Sequence, residues 1–364
     1  MKIFLRNSLL LTVMFSLLIM LSSYAVAGPA QELDKAVMGN NLAKAEALLK
    51  KGVSAKTTDH MGNPMFILAV YKKNLPMMRL LYKHGADINS RASFQSYFCM
   101  PALQVAIRID CPIAIKQFLI DNGADVNLNG NFYTPLMDAV GGNDLPMVKI
   151  LIAKGAKVNA RIEDHETALV LATADGHKEM IDYLLANGAD VNLPGGDNIT
   201  PLMNAVKNND VALTERLIAL GAEINALDGN NNTAFYYCAY TSKRAPQGSA
   251  EIARILLDKG VNIDQRFEYE QTLLIEAAKN NCLDLVQLLL ARGAQVNLKR
   301  DHGWTALMMA ASYGRTEMVR LLLQNGADVN AVNDEGKTAL QCTFRLDEQD
   351  KAAVSKVLKA AGGK

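Results

Sequence analysis

A short string, Gly-Ala-x-(Val or Ile)-Asn, recurs along the chain at a nearly constant interval. It begins at Gly85, Gly123, Gly155, Gly188, Gly221, Gly293 and Gly326, with the variant Gly-Val-Asn-Ile-Asp at Gly260. A second string keeps phase with it, Thr134-Pro135-Leu136 and Thr200-Pro201-Leu202 in its fullest form. Thr167-Ala168-Leu169, Thr305-Ala306-Leu307 and Thr338-Ala339-Leu340 are close relatives. With the Thr slot as frame, units start at Gln31, Pro64, Pro101, Thr134, Thr167, Thr200, Thr233, Thr272, Thr305 and Thr338. The steps are 33, 37, 33, 33, 33, 33, 39, 33 and 33 residues. A period of this size requires a stacked array rather than a closed globule.

Each unit reads as two helices. From Thr167 the pattern runs through Leu169 and Ala172 to Gly176. From Lys178 it runs through Met180, Ile181, Leu184 and Leu185 to Gly188, with apolar residues at helical spacing. Gly188 suits the left-handed residue that ends a helix. Neither helix can bury its apolar face alone, so neighbouring pairs must stack. Ala172, Ala205, Ala277 and Ala310 share one slot and allow close approach. The first unit (Lys44, Glu46, Lys50, Lys51) and the last (Lys351, Lys356, Lys359) carry the polar faces expected of caps.

On its period and its T-P-L strings the chain resembles the ankyrin-repeat family. The resemblance implies an all-α solenoid of about ten helix-turn-helix units joined by β-hairpin-like loops, filling residues 28–364 as one domain. It also implies a non-catalytic scaffold that recognises a protein partner through a concave surface of loops and first helices. The family's usual His slot holds Met137, Val170, Met203, Tyr236, Ile275, Met308 and Gln341 instead. That puts in doubt the polar link such a His makes to the neighbouring loop. Met in this row reads as packing filler.

Two insertions break the period: about four residues before Pro101, and about six within the unit from Thr233 that hold Lys243, Arg244, Pro246 and Gly248. Aromatics gather in the loops. Tyr97, Phe98, Phe132 and Tyr133 form the first candidate contact patch; Phe267, Tyr269 and Trp304 form the second. Clustered rings are the residues on which partner binding concentrates.

Chemistry is sparse. The chain has no phosphate-cradling loop, no H-E-x-x-H and no nucleophile elbow. The five His residues fall in different units, so neither a metal nor another cofactor is expected. Cys238 and Cys342 read as core residues and Cys99 as exposed. The slot offset of Cys238 and Cys282 adds about 7 Å along a helix to a helix spacing of about 8–10 Å, beyond disulfide reach. Net charge is +1, with 38 basic against 37 acidic residues, which gives no electrostatic reason for a nucleic-acid partner.

The N-terminus carries Lys2 and Arg6, an uncharged apolar run from Ser8 to Leu21, then Ala25-Val26-Ala27. This is the layout of a secretory signal peptide over residues 1–27. It implies export, to the periplasm before the extracellular space, with no membrane attachment after cleavage. The alternatives are an exported effector, an enzyme-like role for loop residues such as His165 or Glu166, and structural self-association.

Overall fold

In a computed structural model the described residues are 28–92, 99–130, 133–162, 166–240 and 249–364, with backbone alone at 344–345. Among them are eighteen α-helices and no strand. Two compact units divide the chain, Met1–Asn131 and Phe132–Lys364.

The first unit holds three helix pairs: α1 (Pro29–Met38) with α2 (Leu42–Lys50), α3 (Met65–Tyr71) with α4 (Leu75–Lys83), and α5 (Ala102–Arg108) with α6 (Ile113–Asp121). The second unit continues with α7 (Pro135–Gly141) and α8 (Leu145–Ala153), α9 (Ala168–Asp175) and α10 (Lys178–Ala186), and α11 (Pro201–Lys207) and α12 (Val211–Ala219). After these come α13 (Ala250–Asp258), α14 (Leu273–Lys279) with α15 (Leu283–Ala291), α16 (Ala306–Ser312) with α17 (Thr316–Gln324), and α18 (Glu348–Ala360). Repeats are numbered 1 to 10 from their Thr-slot positions.

The Thr slot works as a helix cap. The hydroxyls of Thr134, Thr167, Thr200, Thr272 and Thr305 each accept the N–H three residues on, at 3.1–3.4 Å. At two of the three Met residues in the family's His slot, the sulfur completes the cap. Met137 and Met203 Sδ each accept the backbone N–H of their own Thr at 3.4 Å. Gln341 does this with an amide oxygen at 2.9 Å. The link to the neighbouring loop survives in repeat 3, where buried Gln104 accepts the Gly130 N–H at 2.5 Å.

Five residues beyond the Thr slot the side chain is always small. Ala69, Ala106, Ala139, Ala172, Ala205, Ala277 and Ala310 are fully buried there, and in repeat 7 Cys238 takes the place. Cys342 is likewise buried and Cys99 exposed, as their positions in the pattern predict. Each second helix contributes a larger ridge, such as Met147, Val148 and Leu151 or Leu285, Val286 and Leu289. Small residues in one row and bulky ones in the next let first helices approach closely while second helices splay.

A polar ladder joins consecutive loops. The Asn of Gly-Ala-x-Val-Asn donates to the Gly carbonyl of the next loop and accepts an N–H two residues further on. Asn192 does so with Gly221 (3.0 Å) and Glu223 (2.7 Å). Asn159 pairs with Gly188 and Asp190, Asn297 with Gly326 and Asp328, and Asn330 with Gly362 and Lys364. Within the first unit Asn89 pairs with Gly123 and Asp125. Asp264 cannot donate, so it accepts both the backbone and side-chain N–H groups of Gln295, at 3.1 and 2.9 Å. Asn225 makes none of these bonds; its rung leads into repeat 7.

Repeat 7 departs in a second way. Its first helix is reduced to a short 3-10 turn, Tyr236–Ala239, built from i+3 bonds at Tyr236, Tyr237 and Cys238. The Thr233 hydroxyl is buried and unused. The α-helix that the repeat pattern predicts here does not form.

Replacing Asn192 by Ala is therefore expected to lower stability by about 1 kcal/mol, while Asn225→Ala leaves it unchanged. Urea melts of the two variants check this; equal losses would contradict it.

Candidate functional site

The loops between repeats end in tight fingers. The first residue of a finger donates its N–H to the carbonyl four residues later: Gly195 to Ile199, Asp228 to Asn232, Phe267 to Gln271 and Arg300 to Trp304, all at 2.9 Å. Five residues cannot turn so sharply without left-handed backbone at the tip. Asp197 and Asn198, Asn231, Tyr269 and Glu270, and His302 supply it, with φ between 53° and 61°.

This closure decides which aromatics face outward. Phe267 opens its finger and turns inward. It is 5% exposed, and its ring packs on Tyr236 with centroids 5.2 Å apart. It is a packing residue, not a contact residue. Tyr269 stands at the tip, 57% exposed. Trp304 closes the next finger and is half-buried, as is Tyr133. Tyr97, Phe98 and Phe132 lie outside the described residues, as does His165.

The structure adds a cluster that the loop-centred reading passed over. Tyr236, Tyr237 and Tyr240 come from the 3-10 turn of repeat 7. Tyr237 meets Tyr236 at 5.6 Å and Tyr240 at 6.4 Å, both edge-on. Its hydroxyl donates to the Asp228 carboxylate, which also accepts the N–H groups of Asn230 (2.8 Å) and Asn232 (2.9 Å). The Lys207 ammonium lies 4.0 Å from the Tyr237 ring centroid. Gln271 donates to the Tyr236 hydroxyl at 3.4 Å. Tyr240 remains 51% exposed. In sequence the signal was three Tyr residues in one first-helix segment, where no other repeat holds more than one.

Electrostatics follow burial. Desolvation holds the Lys207 ammonium below its usual pKa, and Asp228, Asp197 and Glu166 oppose that shift. Burial, with help from Glu276, pushes the Tyr236 phenol up to about 12. Burial and its bond to Asp228 raise Tyr237 further. A hydrogen bond to Glu268 raises Tyr269. All three phenols are protonated at neutral pH and can donate.

The fingers that open at Gly195 and Asp228 are pressed together beside this cluster. A side chain on Gly195 would collide with the Glu166 carboxylate, and the Gly229 N–H donates to the Asp197 carbonyl at 2.6 Å. Further along the stack Arg300, which opens its own finger, lies 5.7 Å from the Tyr269 ring of the finger before it. The result is a face of exposed and half-buried rings with hydroxyl and ammonium donors. An open cleft of about 400 Å³ lined by Thr173, Asn208 and Asp210 belongs to the helix turns. No three His, Cys, Asp or Glu among the described residues converge as a metal site would require. No helix among them is long and apolar enough to cross a membrane.

Family models described as ankyrin repeats match residues 61–93, 103–195, 184–238 and 274–354. A putative ankyrin repeat-containing protein of Treponema pallidum is 35% identical over 130 residues, 35% of this chain and 41% of that protein. The mouse B-cell lymphoma 3 protein homolog is 30% identical over 133 residues, 35% of this chain and 29% of its own length. The chain thus spans less than half the length of either relative. The human ASB11 ankyrin repeat domain superposes with a TM-score of 0.55 at 29% identity, covering 64% of this chain and 99% of that one.

A bulky residue held left-handed costs about 1–2 kcal/mol, and Tyr269 makes no compensating buried contact that would require it. Tyr269→Gly should therefore melt no lower than the wild type while losing the exposed ring. A thermal melt checks the first half; a clear fall in melting temperature would show that the ring is structural.

Proposed function

The chain belongs to the ankyrin-repeat family, and from that membership we propose that it is a non-catalytic scaffold whose ligand is a protein. The partner docks on the first-helix and finger surface of the second unit, at Tyr240 and Tyr269. One observation carries this reading: both rings are more than half exposed, on a face whose neighbouring rings are packed and bonded. A ring left in water contributes little to stability, whereas interface hot spots are rich in Tyr and can each contribute about 2 kcal/mol or more. A rigid array also loses little conformational entropy on binding. The near-balance of 38 basic and 37 acidic residues favours a protein over a nucleic acid.

The place of action that fits the sequence is the periplasm. Lys2, Arg6, the apolar run and Ala25-Val26-Ala27 support export with cleavage before Gly28. N-terminal sequencing of the exported protein should begin at Gly28; a start at Met1 would sink the export reading.

The binding reading is tested with the double variant Tyr240→Ala/Tyr269→Ala. Wild-type chain used as bait on periplasmic extract should retain a partner that the variant loses, with affinity lowered at least about tenfold (1.4 kcal/mol). The melting temperature should stay within a few degrees. Equal retention by both baits would contradict the reading.

A further inference from the structure

Among the described residues, the charges on the face of repeats 5–7 are one-sided. Segments 166–176, 195–209 and 228–240 hold the first helices of these repeats and the fingers before repeats 6 and 7. Their charged residues are Glu166, Asp175, Asp197, Lys207 and Asp228: four acidic and one basic, a net of −3. The chain as a whole is near neutral, so this is a local field. Glu166, Asp197 and Asp228 all act on the single ammonium, which places the four charges within reach of one another.

Two further observations describe what this face accepts. Its Tyr237 ring holds a cation, Lys207, and beyond this face, on the finger between repeats 7 and 8, the Tyr269 ring holds Arg300. Tyr240 lies edge-on to Tyr237, half exposed, with no cation on it among the described residues. Secondly, Lys207 makes no hydrogen bond and no ion pair among the described residues, although it is half-buried. Its N–H donors need an acceptor, and an anion would meet the surrounding carboxylates. A peptide carbonyl meets the need without adding negative charge.

Resting on the protein-binding reading above, we infer that the face of repeats 5–7 takes an extended, arginine-bearing segment of the partner. Its guanidinium lies against Tyr240 in the field of Glu166, Asp197 and Asp228. A backbone carbonyl of the same segment accepts from Lys207.

Fluorescence anisotropy on the whole chain tests this with two labelled peptides of equal length, one alternating arginine and serine, the other glutamate and serine. The arginine peptide should bind, more weakly as salt rises, and at least about tenfold more tightly than the glutamate peptide. Asp197→Asn/Tyr240→Ala should weaken it by a further tenfold or so. Asn tolerates the left-handed backbone at 197, and a thermal melt confirms that the variant is folded. Glu215→Gln, exposed on the second helix of repeat 6, should change nothing. The inference fails if the glutamate peptide binds as well, if the arginine peptide does not bind, or if the double variant binds like wild type. If the arginine peptide fails while a captured partner still depends on Tyr240 and Tyr269, the charge inference falls and the protein-binding reading stands.

Discussion

Close approach of successive first helices is the constraint on which the rest depends. A helix pair of this size cannot bury both its faces, and it gains a core only when the next pair covers it. The column of Ala at the fifth position after the Thr slot sets the distance. A bulky side chain there would push two repeats apart and uncover the ridges of the second helices beside it. Once that distance is fixed, the Asn rungs can span from loop to loop, and the fingers come into side-by-side contact.

Repeat 7 satisfies this constraint differently from its neighbours. Cys238 keeps the small slot filled, so stacking continues. The Asn225 rung, the Thr233 cap and the full first helix are missing. In their place Tyr237 is tied to Asp228 and roofed by Lys207, and Asn280 reaches back to the Ala239 carbonyl at 3.0 Å. Regular hydrogen bonding has been exchanged for a side-chain cluster that opens onto the finger face. Local departures of this kind are common where a surface is shaped for use rather than for stability.

Much of the fold was legible because its rules are short-range and repeated. A Thr three residues before an amide, a Gly at a helix end and a small residue, mostly Ala, at each contact leave a signature at a fixed spacing. Ring direction was not legible in the same way. Phe267 and Tyr269 lie two residues apart in one loop, and only the five-residue closure from Phe267 to Gln271 turns one inward and the other out. The Tyr236–Tyr240 cluster was hidden for a different reason. Its partners, Lys207 and Asp228, belong to other parts of the repeat pattern and meet it only after stacking. The methionines in the His slot carried a third lesson: filler in the core, yet with a sulfur placed to complete a cap.

The exchange at repeat 7 can be measured directly by native-state hydrogen exchange. Amides of Tyr236–Ala239 should open at a lower free energy than those of the corresponding helices Pro201–Lys207 and Leu273–Lys279, although repeat 7 lies between them in the stack. Equal or greater protection at Tyr236–Ala239 would contradict the view that this repeat gives up regular bonding to form the tyrosine face.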